Sequence, residues 1–305
     1  MTNHQNNLNT EKIRNLILSW LSKRLDKDSL QKLTDIASRL IYKAEDWEVF
    51  SSVSGVPRFI PKERLNLSDA ELIEAKRLRA GWNPASWRTD QIGRTLLLLS
   101  LAEREKDEFL DKLEKLFISS DMEEAVALYQ SLPVLPWPNE LTERAAEGVR
   151  SNITSVFNAV ALRNPYPSEY MDNVAWNQIV LKALFVESPL YPIIGIDRRA
   201  NPELAKMLVE YAHERWSAGR TVSPELWRPV GPFIDDTNIN DIEEVLKHPE
   251  EIQKKAAILA LLDSGSTSAD SLLNEYSELR VKLKSEGVTW DDIGIQFERI
   301  NSTGN

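Results

Sequence analysis

The stretch NPELAKMLVEYAHERWSAGR, residues 201–220, carries the clearest secondary-structure signals in the chain. Asn201 can cap a helix with its side chain, and Pro202 suits the first helical position. Gly219 stands where helices commonly end. Together these signals predict one helix from residue 202 to residue 218.

Helical signals recur along most of the chain. Ser68 followed by Glu71 forms a capping box, which predicts a helix that stops near Gly81. Only 11 of the 305 residues are glycine, and no segment alternates convincingly between apolar and polar residues. The short apolar run 191–196 could be a strand, but it would have no partner. Further helices are predicted over about residues 10–25, 29–42, 89–102, 105–118, 121–131, 140–162, 170–186, 238–247, 250–263, 267–286 and 290–300, with short ones near Trp47 and Glu225.

The sequence therefore predicts an all-α fold. About a dozen helices joined by short turns favour irregular stacked helical pairs, as in an α-solenoid of the HEAT or armadillo kind. A globular helical bundle is the second possibility. The run LPVLPWP, residues 132–138, cannot be helical because of its prolines, and it marks a candidate boundary. We expect a disordered segment over residues 1–8 and helical regions over residues 9–138, 139–236 and 237–305.

Composition excludes several classes of function. The formal net charge of −10 argues against non-specific binding to nucleic acid or to an anionic membrane. There is no cysteine, and the three histidines are far apart, which argues against a thiolate nucleophile and a multi-histidine metal site. The longest nearly apolar run, residues 95–102, is far too short to span a membrane, and the N-terminus lacks a signal pattern. We expect a soluble, cytoplasmic protein without a metal, a cofactor or membrane insertion.

Polar side chains crowd beside aromatic residues between Asn164 and Phe233. Such a density indicates a buried or half-buried polar network, which is costly unless its hydrogen bonds are satisfied. We predict that this segment forms the site that binds a ligand or partner. The predicted binding residues are Asn177, Gln178, Arg198, Arg199, Asn201, Arg215, Trp216, Arg220, Trp227 and Arg228.

The arginines in this segment have two interpretations. If they converge, their planar guanidinium groups could grip a phosphate or a carboxylate, helped by the helix N-terminus at Pro202. Alternatively, they form structural ion pairs with nearby acidic residues. The available partners are Asp197, Glu203, Glu214, Glu225 and Asp235.

His213 and Glu214 are the candidate catalytic residues. Helical spacing places Glu210, His213 and Glu214 on one side, and a carboxylate beside an imidazole can fix its tautomer for proton transfer. A histidine that only packs between helices is the alternative. The acidic run DDTNIND, residues 235–241, fails the pattern of a calcium loop and is better explained as a helix N-cap cluster.

Several segments resemble the EboA family. They are GVRSN (148–152), VFNAVALRNPYP (156–167), AWNQIVLKALF (175–185), PLYPIIGIDRRANPELAKML (189–208), YAHERWSAGR (211–220) and SPELWRPVGPF (223–233). The resemblance implies a helical protein without assigned catalytic residues, in a pathway that makes or exports a secondary-metabolite precursor from the cytoplasm.

Two functions are compatible with these observations. The first is a non-enzymatic binding or scaffold protein, whose partners are other proteins of the pathway or an anionic or aromatic small molecule. The second is an enzyme that acts on a phosphorylated or carboxylated metabolite, with His213 and Glu214 as acid and base. The absence of a recognisable nucleophile or metal motif favours the first.

Overall fold

The computed structural model describes the backbone of residues 2–42 and 44–303 and the side chains of residues 9–42 and 44–302. Within these residues there is no β-strand, and seventeen α-helices are joined by turns, which confirms the all-α prediction. In chain order, helices α1 to α17 are Thr2–Leu21, Lys27–Tyr42, Asp46–Gly55, Asp69–Leu78, Thr89–Leu101, Lys106–Ser119, Met122–Ser131, Thr142–Arg150, Thr154–Ala161, Tyr166–Tyr170, Asn173–Phe185, Pro202–Ser217, Ile239–Leu246, Glu251–Asp263, Thr267–Glu275, Ser277–Glu286 and Trp290–Thr303.

The chain divides into two units, residues 1–171 and residues 172–305. The first unit holds α1 to α10 and the second holds α11 to α17. The division falls inside the region predicted over residues 139–236. The predicted regional limits and the solenoid stacking stay predictions. Side chains of residues 1–8, where we expected disorder, lie outside the described residues.

Two predicted helices are interrupted by local turns. The helix predicted over residues 140–162 ends at Arg150 and resumes at Thr154, because the Ser151 hydroxyl accepts the Ile153 N–H at 3.1 Å and so competes with helical bonding. The helix predicted over residues 170–186 begins only at Asn173, where the Asp172 carboxylate caps it by accepting the Ala175 N–H at 2.8 Å.

Two other local expectations need correction. The helix predicted over residues 267–286 is divided at Tyr276, whose φ of −102° and ψ of 34° leave the helical region. The proline-rich run 132–138 contains a 3₁₀ turn at Leu132–Val134, since a proline fits the start of such a turn. The run 191–196, for which a strand would have had no partner, forms turns as the all-α prediction requires.

Helix α5 is the centre of the first unit. All of its residues are buried, and it contacts α1, α2 and α7. One charge network lies within this core. Arg94 donates to Asp90 at 2.8 Å and to the Val53 carbonyl at 3.2 Å, and the partly exposed Arg88 donates to the same carboxylate from two nitrogens. Asp90 therefore holds two guanidinium groups, one of them buried.

Replacing Asp90 with asparagine should lower the free energy of unfolding by about 3 kcal/mol, because Arg94 would stay buried without a carboxylate partner. Urea denaturation followed by far-ultraviolet circular dichroism measures the loss. The control is Asp111→Asn, which removes an exposed partner of Lys115 and should change stability little. Equal losses in the two variants would contradict this account of the core.

Helix α14 is the centre of the second unit. It contacts α13, α15, α16 and α17 and the 3₁₀ turns Pro224–Trp227 and Gly231–Phe233. Gly231 is needed for the last contact, because a Cβ there would lie 3.0 Å from the Ala260 carbonyl oxygen. These contacts hold the end of the predicted binding segment, residues 224–233, against the C-terminal helices of the same unit. None of the helices, over the residues described, has the length and apolar character needed to cross a membrane.

Candidate functional site

The helix pair α11 and α12 is joined by two asparagine side chains. The Asn201 side chain caps α12 by accepting the Leu204 N–H at 2.9 Å, as its sequence position predicts. The amides of Asn201 and Asn177 also donate to each other, at 2.9 and 3.2 Å. Asn177 is only 5% exposed, so these two predicted binding residues use their amides to hold the helices together.

Arg199 lies on the aromatic face of Trp176. The guanidinium carbon is 5.0 Å from the ring centroid, and one terminal nitrogen donates to the Asn173 amide oxygen at 2.6 Å. Burial, and then the neighbouring charge of Arg198, lower the pKa of Arg199. Arg198 and Gln178 are exposed. This end of α11 therefore presents a half-buried cation beside exposed polar side chains.

Arg228 is held by two acidic residues. Its Nε and one terminal nitrogen donate to both oxygens of Asp197, at 2.6 and 2.8 Å, and its other terminal nitrogen donates to Asp291 at 2.8 Å. Burial opposes the charge, but these carboxylates outweigh it and raise the pKa of Arg228. The ion pair with Asp197 agrees with the second interpretation of the arginines, in which they form structural ion pairs with nearby acidic residues.

Arg215 and Arg220 lie at the end of α12. Arg215 donates from two nitrogens to the Thr221 carbonyl, at 3.3 and 3.2 Å, and so fastens the turn in which Gly219 has a φ of 68°. Arg220 is exposed, and its backbone N–H donates to the Arg215 carbonyl at 2.9 Å. The guanidinium groups of Arg199, Arg215 and Arg228 therefore meet three different sets of partners.

His213 is paired with a carboxylate, but not the one predicted from helical spacing. Its Nε2 lies 2.7 Å from Asp241 Oδ1, and its ring is 5.9 Å from that of Trp216. Asp241 belongs to the acidic run 235–241, whose Asp235 orders the turn before α13 by accepting from Thr237. The imidazole is exposed, so this pair lies at the surface of the second unit.

The two tryptophans of the predicted site stack on each other. Trp216 and Trp227 lie with their ring centroids 5.9 Å apart and their planes at 29°. Trp227 is fully buried, whereas Trp216 is half-buried at the end of α12. Trp227 therefore packs in the core, and Trp216 stacks on it nearer the surface, beside His213.

Glu225 is a buried acid that the sequence suggested only as a partner for an arginine. Its carboxylate accepts the backbone N–H groups of Leu190 and Tyr191, at 3.1 and 2.5 Å, and the residue is 1% exposed. Burial raises its pKa to about 7 despite these bonds. The apolar sequence neighbours of Glu225, Pro224 and Leu226, are a weak signal of its burial. Helical or strand spacing gives no indication that this carboxylate is buried.

Helix α17 covers this acid. A Cβ on Gly294 would lie 2.6 Å from Glu225 Oε1, so only glycine allows the helix to approach so closely. Tyr191 donates to Glu298 on the same helix at 2.9 Å. Over the residues described, no group of three or more acidic or histidine side chains could hold a metal ion.

A family model described as metabolite traffic protein EboA matches residues 13–231. The chain belongs to the EboA family. This match extends further toward the N-terminus than the segments that carry the resemblance in the sequence. No curated protein and no solved structure matches the chain significantly. In this EboA family member, helices α13 to α17 follow the matched region.

Glu225 should make stability depend on pH. Its carboxyl has a pKa of 4.5 when unperturbed and about 7 when folded, so the folded state binds the proton more tightly. Its contribution is therefore complete below pH 4.5 and is lost as pH rises through 7, by about 3 kcal/mol at most. The difference in unfolding free energy between wild type and Glu225→Gln, measured in urea across this range, should change by that amount.

The matched control for this measurement is Glu210→Gln, which alters an exposed carboxylate on α12. Its difference from wild type should stay constant over the same pH range. A constant difference for Glu225→Gln as well would show that the buried carboxyl does not titrate in this way.

Proposed function

We propose that this EboA family member is a non-enzymatic binding or scaffold protein in the traffic of a secondary-metabolite precursor in the cytoplasm. It holds a partner protein of that pathway against the exposed face of α11. The family description supports a role in a metabolite pathway. The physical support comes from the unusual distribution of polarity around α11.

Helix α11 has a buried amide and exposed apolar side chains. Asn177 faces inward with Trp176, Val180 and Ala183, whereas Val174 and Phe185 are 73% and 75% exposed. The buried face is otherwise apolar, but the buried amide and the two exposed apolar side chains depart from the usual arrangement for a helix at a protein surface. An exposed valine and phenylalanine on one helix face are more stable when another surface covers them.

Three exposed side chains and the half-buried Leu181 form one continuous stripe. Helical geometry places Val174, Gln178, Leu181 and Phe185 within one narrow arc, over a length of about 17 Å. Lys182 is the single charged residue of α11, and burial lowers its pKa. Arg198 and Arg199 of the predicted site belong to the same unit. The stripe therefore suits an apolar helix of a partner, with acidic residues at its rim.

The double substitution Val174→Glu and Phe185→Glu should weaken binding to the partner by more than tenfold, because two carboxylates would be forced into an apolar contact. Pull-down and calorimetry with purified proteins of the same pathway measure the affinity. The control is Val281→Glu on α16, a valine in the same unit that is 66% exposed. Unchanged binding of the folded double variant would contradict the proposed surface.

The second candidate function is an enzyme that uses His213. The supporting observation is its 2.7 Å contact with Asp241, which could orient the imidazole as a general acid or base. Activity on a phosphorylated or carboxylated pathway intermediate should then disappear in His213→Ala and fall in Asp241→Asn, while Glu214→Gln remains active. A purified protein that is inert toward these intermediates would favour the binding role.

A further inference from the structure

A cleft of about 300 Å³ opens in the first unit between α6, α8 and the 3₁₀ turn Pro138–Leu141. Its floor is apolar, made by the buried side chains of Leu113, Phe117 and Leu141. This volume is at the low end for a small-molecule site. The carboxylates on its walls belong to Glu114, Glu140, Glu143 and Glu147.

The cleft already recognises a cation of the protein itself. Arg144 donates from Nε and a terminal nitrogen to the two oxygens of Glu114, and from its other terminal nitrogen to Glu147 at 2.5 Å. Its guanidinium carbon lies 5.2 Å from the centroid of the Phe117 ring. Two carboxylates and an aromatic face are the groups that bind planar or ammonium cations.

The charges of the lining favour another cation over an anion. Four carboxylates face the cleft against the single guanidinium of Arg144. Three of the five N–H groups of that guanidinium are bonded to Glu114 or Glu147, so an anion that approached the guanidinium would lie against these carboxylates. The lining therefore repels anions and attracts positive charge.

Glu140 and Glu143 are the carboxylates that an incoming cation could use. Their partners, Lys106 and Arg150, lie outside the lining, and both ion pairs are solvent-exposed. Exposed pairs of this kind contribute little to stability and are easily exchanged for another cation. The apolar floor beside them can take the body of the same molecule.

We propose that this cleft binds a small organic cation, an amine or amidine on an aromatic or short alkyl body. The charged group lies between Glu140 and Glu143, and the body lies on Leu113, Phe117 and Leu141. This site is in the first unit and is independent of the partner surface on α11. The ligand proposed here is a cation, whereas the arginine-rich segment led us to expect an anionic ligand.

Isothermal titration calorimetry of the full chain with 2-phenylethylamine tests the proposal. Phenylethylamine should bind saturably, whereas phenylacetate, of similar size and opposite charge, should not. The double substitution Glu140→Gln and Glu143→Gln should weaken phenylethylamine binding roughly tenfold, because it removes both carboxylates without changing the shape of the wall. A control pair, Glu243→Gln and Glu244→Gln on α13, should leave the affinity unchanged.

A second variant tests the floor of the cleft. Phe117→Leu keeps an apolar side chain but removes the ring against which the body of the ligand packs, and it should also weaken phenylethylamine binding. Circular dichroism verifies that each variant is folded. The proposal is overturned if phenylethylamine does not saturate, if phenylacetate binds equally well, or if the folded Glu140 and Glu143 double variant binds like wild type.

Discussion

The reciprocal amide pair of Asn177 and Asn201 is the interaction on which the exposed face of the second unit depends. Each of these two side-chain amides donates to the oxygen of the other, which satisfies polar groups in the contact between α11 and α12. Because a buried amide without a partner is costly, this pairing favours one rotation of α11 about its axis. That rotation turns Val174 and Phe185 outward. The surface proposed for a partner is thus a consequence of satisfying one internal hydrogen-bond pair.

Ionic groups in the same unit are used mainly to fasten its C-terminal part. Arg228 binds Asp197 within the region matched by the family and Asp291 beyond it. Glu225 holds the backbone at residues 190–191 and lies beneath Gly294 of α17. Burial of Glu225 disfavours its charged form and raises its pKa, so proton binding favours the carboxyl in the place where α17 packs above it. Stability of this part is therefore linked to proton binding.

Local sequence signals were sufficient for the fold class and for most helix positions. The caps at Ser68 and Asn201 act on the backbone as their positions predict, because a cap bonds to residues only two or three positions away. The break after Arg150 depends on a single serine side chain in a turn, and helical periodicity alone does not detect it.

The site was less predictable because its partners are distant in sequence. Helical spacing identifies neighbours of His213 within α12, but Asp241 reaches it from 28 positions further along the chain. The density of arginines is visible in the sequence. Which partner each arginine binds, whether Thr221, Asn173 or the two aspartates, is decided by tertiary structure. Exposure of Val174 and Phe185 also has no local signal, since an apolar residue in a helix is usually buried.

These contacts bear on the choice between a binding protein and an enzyme. Catalysis needs charged groups that are held in place and still directed at a substrate. Arg228 and Glu225 are held in place, but their hydrogen bonds are directed at Asp197, Asp291 and the backbone. Val174 and Phe185 of α11 face outward as apolar side chains, and apolar contact supplies affinity without chemistry. The balance of satisfied charge inside and apolar surface outside therefore favours a protein that carries or positions others, with the exposed His213 and Asp241 dyad as the feature that argues for chemistry.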